Sequence, residues 1–379
     1  METLLIVVLV IALALFFDFT NGFHDTANAM ATPIATGALR PKVAVTIAAI
    51  LNLVGAFLST EVARTISGGI IKEGDGGVLI TPELIFAGLI GAIVWNMVTW
   101  LLGLPSSSSH ALFGGLNGSA LVGFGVQAID FSVVLSKIVL PAVLAPLTAG
   151  VVAYTATKLA YSITRRYDGK PDGRDGFRHG QIFSSSLVAL AHGTNDAQKT
   201  MGVITLTLIS VGLQPAGSGP EFWVIVVCAI AIALGTGLTD VKPAQGFAAE
   251  TSTAATILAS THLGFALSTT QVASGSVVGS GLGRRGSKVR WRTAGRIGVG
   301  WLLTLPAAGA VGALAALVAQ LGVVGIIIDT NAGVVVIATI FLWSRRSEVS
   351  SQNVVSEVAD SGSAVKIKRN PKPKKQVTR

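Results

Sequence analysis

Two short polar turns that interrupt apolar runs carry the residues most able to do chemistry. Asn21-Gly-Phe-His24-Asp25-Thr-Ala-Asn28 closes the apolar run Leu4–Phe17, and His192-Gly-Thr-Asn195-Asp196-Ala-Gln-Lys199 lies in a second apolar setting. Carboxylate and amide oxygens are hard ligands suited to Na⁺, and a carboxylate can instead hold H⁺. Ionisable groups in apolar segments are costly and mark function. Asp25, Asn28, Asn195 and Asp196 are therefore candidate cation or proton sites. Helix N-capping by Asp is the competing role, and the two are compatible.

A second pair of stretches is rich in hydroxyls: Ser106–Ser109 and Ser268-Thr269-Thr270, each at a break in apolar sequence. Exposed N–H groups and the dipole at a helix start attract anions. Hydroxyls add donors without adding a fixed charge, so a tetrahedral oxyanion can be held and still released. Ser107, Ser108, Ser109, Ser268, Thr269 and Thr270 are the candidate contacts. The plainer role is capping of two re-entrant helices or bonding to the preceding turn. Secondary candidates are Asp18 as a proton relay, Glu250 in a similar role, and His24 and His110 as groups that could hydrogen-bond substrate or titrate near neutral pH. Lys199 could pair with Asp196 or approach the anion. Asn52 and Asn96 suit interhelical hydrogen bonds.

The elements that must position these residues are membrane helices. The chain has 379 residues, of which 51% are hydrophobic and 12% charged, about half the charged share of a soluble protein. Several apolar runs approach or exceed the ~20 residues of a spanning helix. They are too continuous for the short alternating strands of an outer-membrane barrel. The first run lacks a basic start and a cleavage site, so it reads as a retained span. The expectation is an all-α polytopic membrane protein of roughly ten spans. Cys228 is the one cysteine, which excludes an intrachain disulfide and a cysteine metal cluster.

The motifs repeat in order. Asp25 aligned on Asp196 puts Gly22 against Gly193, and Ser107–His110 aligned on Ser268–Gln271 puts Gly114 and Gly118 against Gly275 and Gly279. Residues 1–162 read as a first repeat, 163–182 as a cytoplasmic linker, 183–343 as a second repeat, and 344–379 as a basic, disordered cytoplasmic tail. Positive charge marks the cytoplasmic side. Arg165–Arg178 holds five Lys/Arg against three Asp, Arg284–Arg292 five with no acid, and the tail from Arg345 nine against three. With these and Arg40/Lys42 inside, and Glu61–Glu83 as an external loop, the halves run in opposite directions. That is an inverted-topology repeat, frequent in secondary transporters. The basic tail fits anionic lipid better than nucleic acid. Adjacent Ser109 and His110 are poor geometry for a hydrolase pair, and no nucleophile-elbow or zinc-protease motif is present. An anion channel is the other class to separate by experiment.

Gly22–Ala29, Gly103-Leu-Pro-Ser-Ser-Ser-Ser-His110, His192–Lys199 and Ser268-Thr-Thr together resemble the PiT inorganic phosphate transporter family, especially its bacterial low-affinity permeases. The resemblance covers roughly Leu4 to Trp343. It implies uptake of inorganic phosphate coupled to H⁺ or Na⁺, with a neutral metal–phosphate complex, such as one with Mg²⁺, as an alternative form of the substrate. It also implies a multi-pass protein of the bacterial inner (plasma) membrane, no enzyme activity, no resident cofactor, and two re-entrant hairpins meeting near mid-membrane. A homodimer is compatible with it. The hydroxyls of both clusters become phosphate contacts, and Asp25, Asn28, Asn195 and Asp196 the sites for H⁺, or for Na⁺ if coupling is to sodium. Sulfate, carried by some relatives, is the alternative substrate. One departure is that Ala266-Leu267 and Gln271 replace the family's Pro-Val and His around the second cluster. Gln271 cannot titrate.

Overall fold

The structure, a computed structural model, describes residues 2–35, 38–69, 80–101, 106–164, 173–237, 247–283 and 291–346. Within its helices, the side chains of 23–28 and 247–250 are outside the described set. The candidate residues His24, Asp25, Asn28 and Glu250 therefore lie outside the described side chains. The basic segments at 165–172 and 284–290, and the tail beyond 346, lie outside the described residues.

No β-strand occurs among the described residues. In order the helices are α1 (Glu2–Ala35), α2 (Pro41–Ala56), α3 (Glu61–Gly69), α4 (Pro82–Leu101) and α5 (Ser108–Phe124). Next, α6 (Phe131–Val133) runs through the π-helical stretch Val134–Val139 into α7 (Leu140–Thr164). The second half holds α8 (Gly173–Ser210), α9 (Phe222–Gly237), α10 (Phe247–His262), α11 (Thr269–Gly283), α12 (Trp291–Ala319) and α13 (Val323–Arg346).

Five of these helices contain a stretch long and apolar enough to cross a bilayer; α2 and α3, bent by 61° at a short break, make a sixth if they count as one span. The expected ten are not reached by this measure, for two physical reasons. The 16-residue α9 and α10 and the 15-residue α11 are short. The 38-residue α8, about 57 Å at 1.5 Å per residue, is too polar to register as apolar. It is nevertheless buried from His192 to Ser210, because α1, α2, α3, α9 and α10 surround it. Protein rather than lipid is its solvent. On the outside, Leu147, Val151, Leu302, Leu314 and Val335 lie exposed on α7, α12 and α13, a surface suited to hydrocarbon.

Two further expectations change. The acidic motifs were expected to break their apolar runs as turns. Both instead lie inside uninterrupted helices, Glu2–Ala35 and Gly173–Ser210. A continuous helix satisfies its own backbone groups, so polar side chains need only polar neighbours. Secondly, the Glu61–Glu83 segment opens with α3 rather than with loop. Glu61 complements the helix dipole, and Gln198 of α8 accepts from the N–H of Val62 at 2.8 Å, satisfying a donor that the helix start leaves free.

Glycines set the close crossings, and they do so reciprocally. A methyl on Gly22 (α1) would lie 2.2 Å from the Ile232 carbonyl oxygen, and one on Gly193 (α8) 2.2 Å from that of Asn52. In return Gly55 (α2) abuts the Leu190 carbonyl and Gly235 (α9) that of Phe19, at 2.3 and 1.9 Å. The hydroxyl-led helices repeat the pattern: Gly114 and Gly118 of α5 sit on the carbonyls of Leu305 and Gly309, and Gly275 and Gly279 of α11 on those of Pro146 and Gly150. Each contact joins the first half of the chain to the second. The halves interlock; the packing is not that of two bundles side by side.

Candidate functional site

The hydroxyl clusters occupy helix starts. Ser107 caps α5: its Oγ accepts from the His110 N–H at 3.2 Å and shares a 2.6 Å hydrogen bond with His110 Nδ1. The side chain at the third helical position thus folds back on the cap, as in a capping box. That local role accounts for the Ser–His contact without catalysis. At α11 the Ser268 hydroxyl accepts from the Gln271 N–H at 3.3 Å, the same cap one half later. Ser107, Ser108, Ser109, Ser268, Thr269 and Thr270 are all buried.

One carbonyl ties these helix starts to the second acidic motif. Ser109 Oγ donates to the Leu267 oxygen at 2.8 Å, and Asn195 Nδ2 donates to the same oxygen at 2.9 Å. Leu267 immediately precedes the second hydroxyl cluster. The first cluster, the second cluster and the α8 motif therefore converge on a single atom. Thr261 of α10 reaches Asn195 Oδ1 at 3.4 Å from the other side.

Beyond Asn195 lies a fully buried ionic group. Lys199 Nζ is 2.5 Å from Asp196 Oδ1, so of its two options Lys199 takes the carboxylate. Asn195 Nδ2 donates to the same oxygen at 2.7 Å, and His192 Nε2 lies 3.1 Å from Oδ2. His192, Asp196 and Lys199 stand at i, i+4 and i+7, one face of one helix. The polarity of the chain beyond them is fixed by geometry. Thr236 donates to the Ile232 carbonyl, so its oxygen accepts from Asn52 Nδ2 at 2.7 Å. Asn52 Oδ1 then accepts from His192 Nδ1 at 3.1 Å. Nδ1 is thereby committed as donor, and Nε2 is the atom that faces Asp196 Oδ2.

Asp18 on α1 is fully buried within electrostatic reach of Asp196, His192 and Lys199. Neither of its oxygens completes a hydrogen bond of ordinary geometry, nor does the hydroxyl of the neighbouring Thr200. Two carboxyl groups, one lysine and one imidazole thus share one buried site. No group of three or more metal-binding His, Cys, Asp or Glu side chains occurs among the described residues.

Sequence reasoning assembles most of this but misses three parts. His192, Thr261 and the Leu267 carbonyl were not among the candidates. The signal for His192 was its i, i+4 spacing from Asp196. A main-chain carbonyl has no sequence signal. Asn52 makes the interhelical bonds expected of it, and Asn96 is buried with an unsatisfied Oδ1.

The fold and this site define a polytopic helical membrane protein with a buried charge cluster beside two hydroxyl-lined helix starts. The description "Phosphate transporter family" matches residues 21–312, and the chain belongs to that family. It is 55% identical to a probable low-affinity inorganic phosphate transporter of Mycobacterium leprae, over 93% of this chain and 87% of that one. A protein of the same description in Bacillus subtilis is 37% identical, over 82% of this chain and 96% of the other. Among solved structures, one titled "The sodium-dependent phosphate transporter" superposes with a TM-score of 0.71 at 24% identity, covering 84% of this chain and all of that one. These likenesses are to transport proteins, so the role is transport rather than catalysis.

Proposed function

We propose that the chain is a secondary active symporter that brings inorganic phosphate across the plasma membrane with H⁺ or Na⁺, using two inverted repeats of about five crossings each. The observation that carries this reading is the Leu267 junction. It makes the hydroxyl-lined helix starts and the Asn195–Asp196 pair one mechanical unit. Occupancy of an anion at Ser107–Ser109 and Ser268–Thr270 can thereby be felt by the charge cluster. The reciprocal glycine contacts support the repeat, because each crossing in one half has a partner in the other.

The chemistry assigns roles. The N–H groups and hydroxyls at the starts of α5 and α11 receive the oxyanion. Asp25 and Asn28 in the first motif, and Asn195 and Asp196 in the second, handle the coupling cation. Desolvating an anion beside buried carboxylates is unfavourable, and a co-bound cation or proton offsets it. Asp18 supplies a carboxylate that can take a proton next to the cluster. A protonated phosphate can donate to such a carboxylate, whereas sulfate at neutral pH cannot, which favours phosphate. The solved neighbour is titled sodium-dependent, which supports Na⁺ as a coupling ion to test first.

The test is uptake of radiolabelled phosphate into proteoliposomes, with Na⁺ gradient, pH gradient and Mg²⁺ varied separately and sulfate as competitor. Concentrative uptake that follows one cation gradient, and exchange-stimulated counterflow, are expected. Uptake indifferent to every gradient, with no counterflow, identifies a channel and refutes the symporter. Full competition by equimolar sulfate refutes selectivity for phosphate.

A further inference from the structure

The two acidic motifs are not chemically equivalent. With Asp25 aligned on Asp196, Asn21 stands against His192 and Asn28 against Lys199. Around the first carboxylate the sequence supplies two amides and one imidazole, His24, but no lysine. Around the second it supplies two nitrogen groups that can each carry positive charge. The alignment is not arbitrary, since Gly22 and Gly193 make equivalent crossings under it.

In the second motif those nitrogens fill the carboxylate. Oδ1 faces Lys199 Nζ at 2.5 Å and Asn195 Nδ2 at 2.7 Å; Oδ2 faces His192 Nε2 at 3.1 Å. Lys199 and Asn195 donate to Asp196, and His192, Asp196 and Lys199 are buried. A metal ion needs several oxygens converging on one point. Here the position next to Oδ1 that such an ion would take is held by an ammonium.

Resting on the symport reading above, we propose that Lys199 is a tethered cation. It does at the second motif what a mobile metal ion does at the first, so the pair of motifs exchanges one sodium ion rather than two, and the coupling cation handled at Asp196 is a proton. The residue at position 199 sets the ion count. A mobile cation that neutralises Asp196 must be reloaded in every cycle and can draw on a gradient; a lysine is always present and draws on none. A chain so built works with less dependence on external sodium, and it couples less gradient energy to each phosphate.

The experiment restores the first-motif pattern with Lys199→Asn in the full chain. Asp196 is then buried without its counter-charge unless a cation enters. Thermal stability of the purified protein is measured at alkaline pH in NaCl against choline chloride of equal ionic strength, for wild type, Lys199→Asn and the double variant Asp196→Asn/Lys199→Asn. The expected result is a saturable sodium stabilisation of Lys199→Asn beyond that of wild type, absent from the double variant. In proteoliposomes, the radiosodium-to-phosphate ratio of Lys199→Asn is expected to exceed that of wild type by about one.

Sodium responses that are the same in all three proteins overturn the proposal. So does a Lys199→Asn chain that fails to fold in sodium as well as in choline, because sodium is meant to replace the lost charge. Failure of wild type to transport phosphate refutes the symport reading instead. The stability comparison does not depend on phosphate and still decides the role of Lys199.

Discussion

Replacing Asp196 by Asn probes the charge cluster most directly. The substitution keeps the side-chain volume and removes one negative charge from a site with no exposure. Lys199, also fully buried, then loses the partner held at 2.5 Å, and His192 loses the acceptor at Nε2. Breaking a buried ion pair by removing one member costs about 3–5 kcal/mol, because the remaining charge is stranded away from water. Neutralising both members is far milder: Asp196→Asn with Lys199→Met leaves no buried net charge at the pair, and such replacements are often close to neutral. The double-mutant cycle should thus return a coupling energy of about 3 kcal/mol, with the single variant melting about 5–10 °C below wild type. Unfolding of a membrane protein in detergent is commonly irreversible, so all variants are compared at one heating rate. The functional reading is separate. Both Asp196→Asn and the double variant should lose concentrative phosphate uptake in proteoliposomes, although only the first is unstable. A single variant within about 1 kcal/mol of wild type, or a double variant no better than the sum of its parts, refutes the reasoning. It would mean that the pair holds neither structure nor charge. Wild-type uptake in either variant removes Asp196 from coupling.

Two other perturbations test the remaining parts of the site. Ser108→Ala combined with Thr269→Ala removes one buried hydroxyl from each helix start, and should raise the KM for phosphate uptake by about thirtyfold, on the basis of ~1 kcal/mol for each of the two lost hydrogen bonds; an unchanged KM argues against a site shared by α5 and α11. Gly235→Ala places a methyl 1.9 Å from the Phe19 carbonyl oxygen, so α1 and α9 must separate. Overpacking of this kind costs about 1–3 kcal/mol; a melting temperature equal to wild type would show that the crossing gives way without resistance.

Composition and motif order by themselves determined the class of the molecule. Long apolar runs with few charges leave a bilayer as the only suitable solvent, and the runs can meet that condition only as helices. The doubled Asp and hydroxyl motifs were legible because they are discontinuities: polar residues in apolar sequence stand out, and two copies in the same order stand out further. The helix starts at Ser107 and Ser268 were legible for the same reason, since hydroxyl residues at apolar onsets are capping signals. The pairing of Lys199 with Asp196 was one of two options that the spacing left open.

Tertiary structure alone decided the rest. The acidic motifs looked like turns because their polarity interrupts a hydropathy pattern, but polarity reports the surroundings of a side chain and not the path of its backbone. Inside the ring of α1, α2, α3, α9 and α10, a polar α8 can remain helical. The count of spans suffers from the same ambiguity, since a protein-shielded helix does not have to look like a lipid-exposed one. The junction at Leu267 is a main-chain oxygen, invisible to residue type, and its partners Ser109 and Asn195 are far apart in the chain. Only the crossed packing of the two halves, set where glycines let the helix backbones touch, brings the two hydroxyl clusters and the Asp196–Lys199 pair into one site.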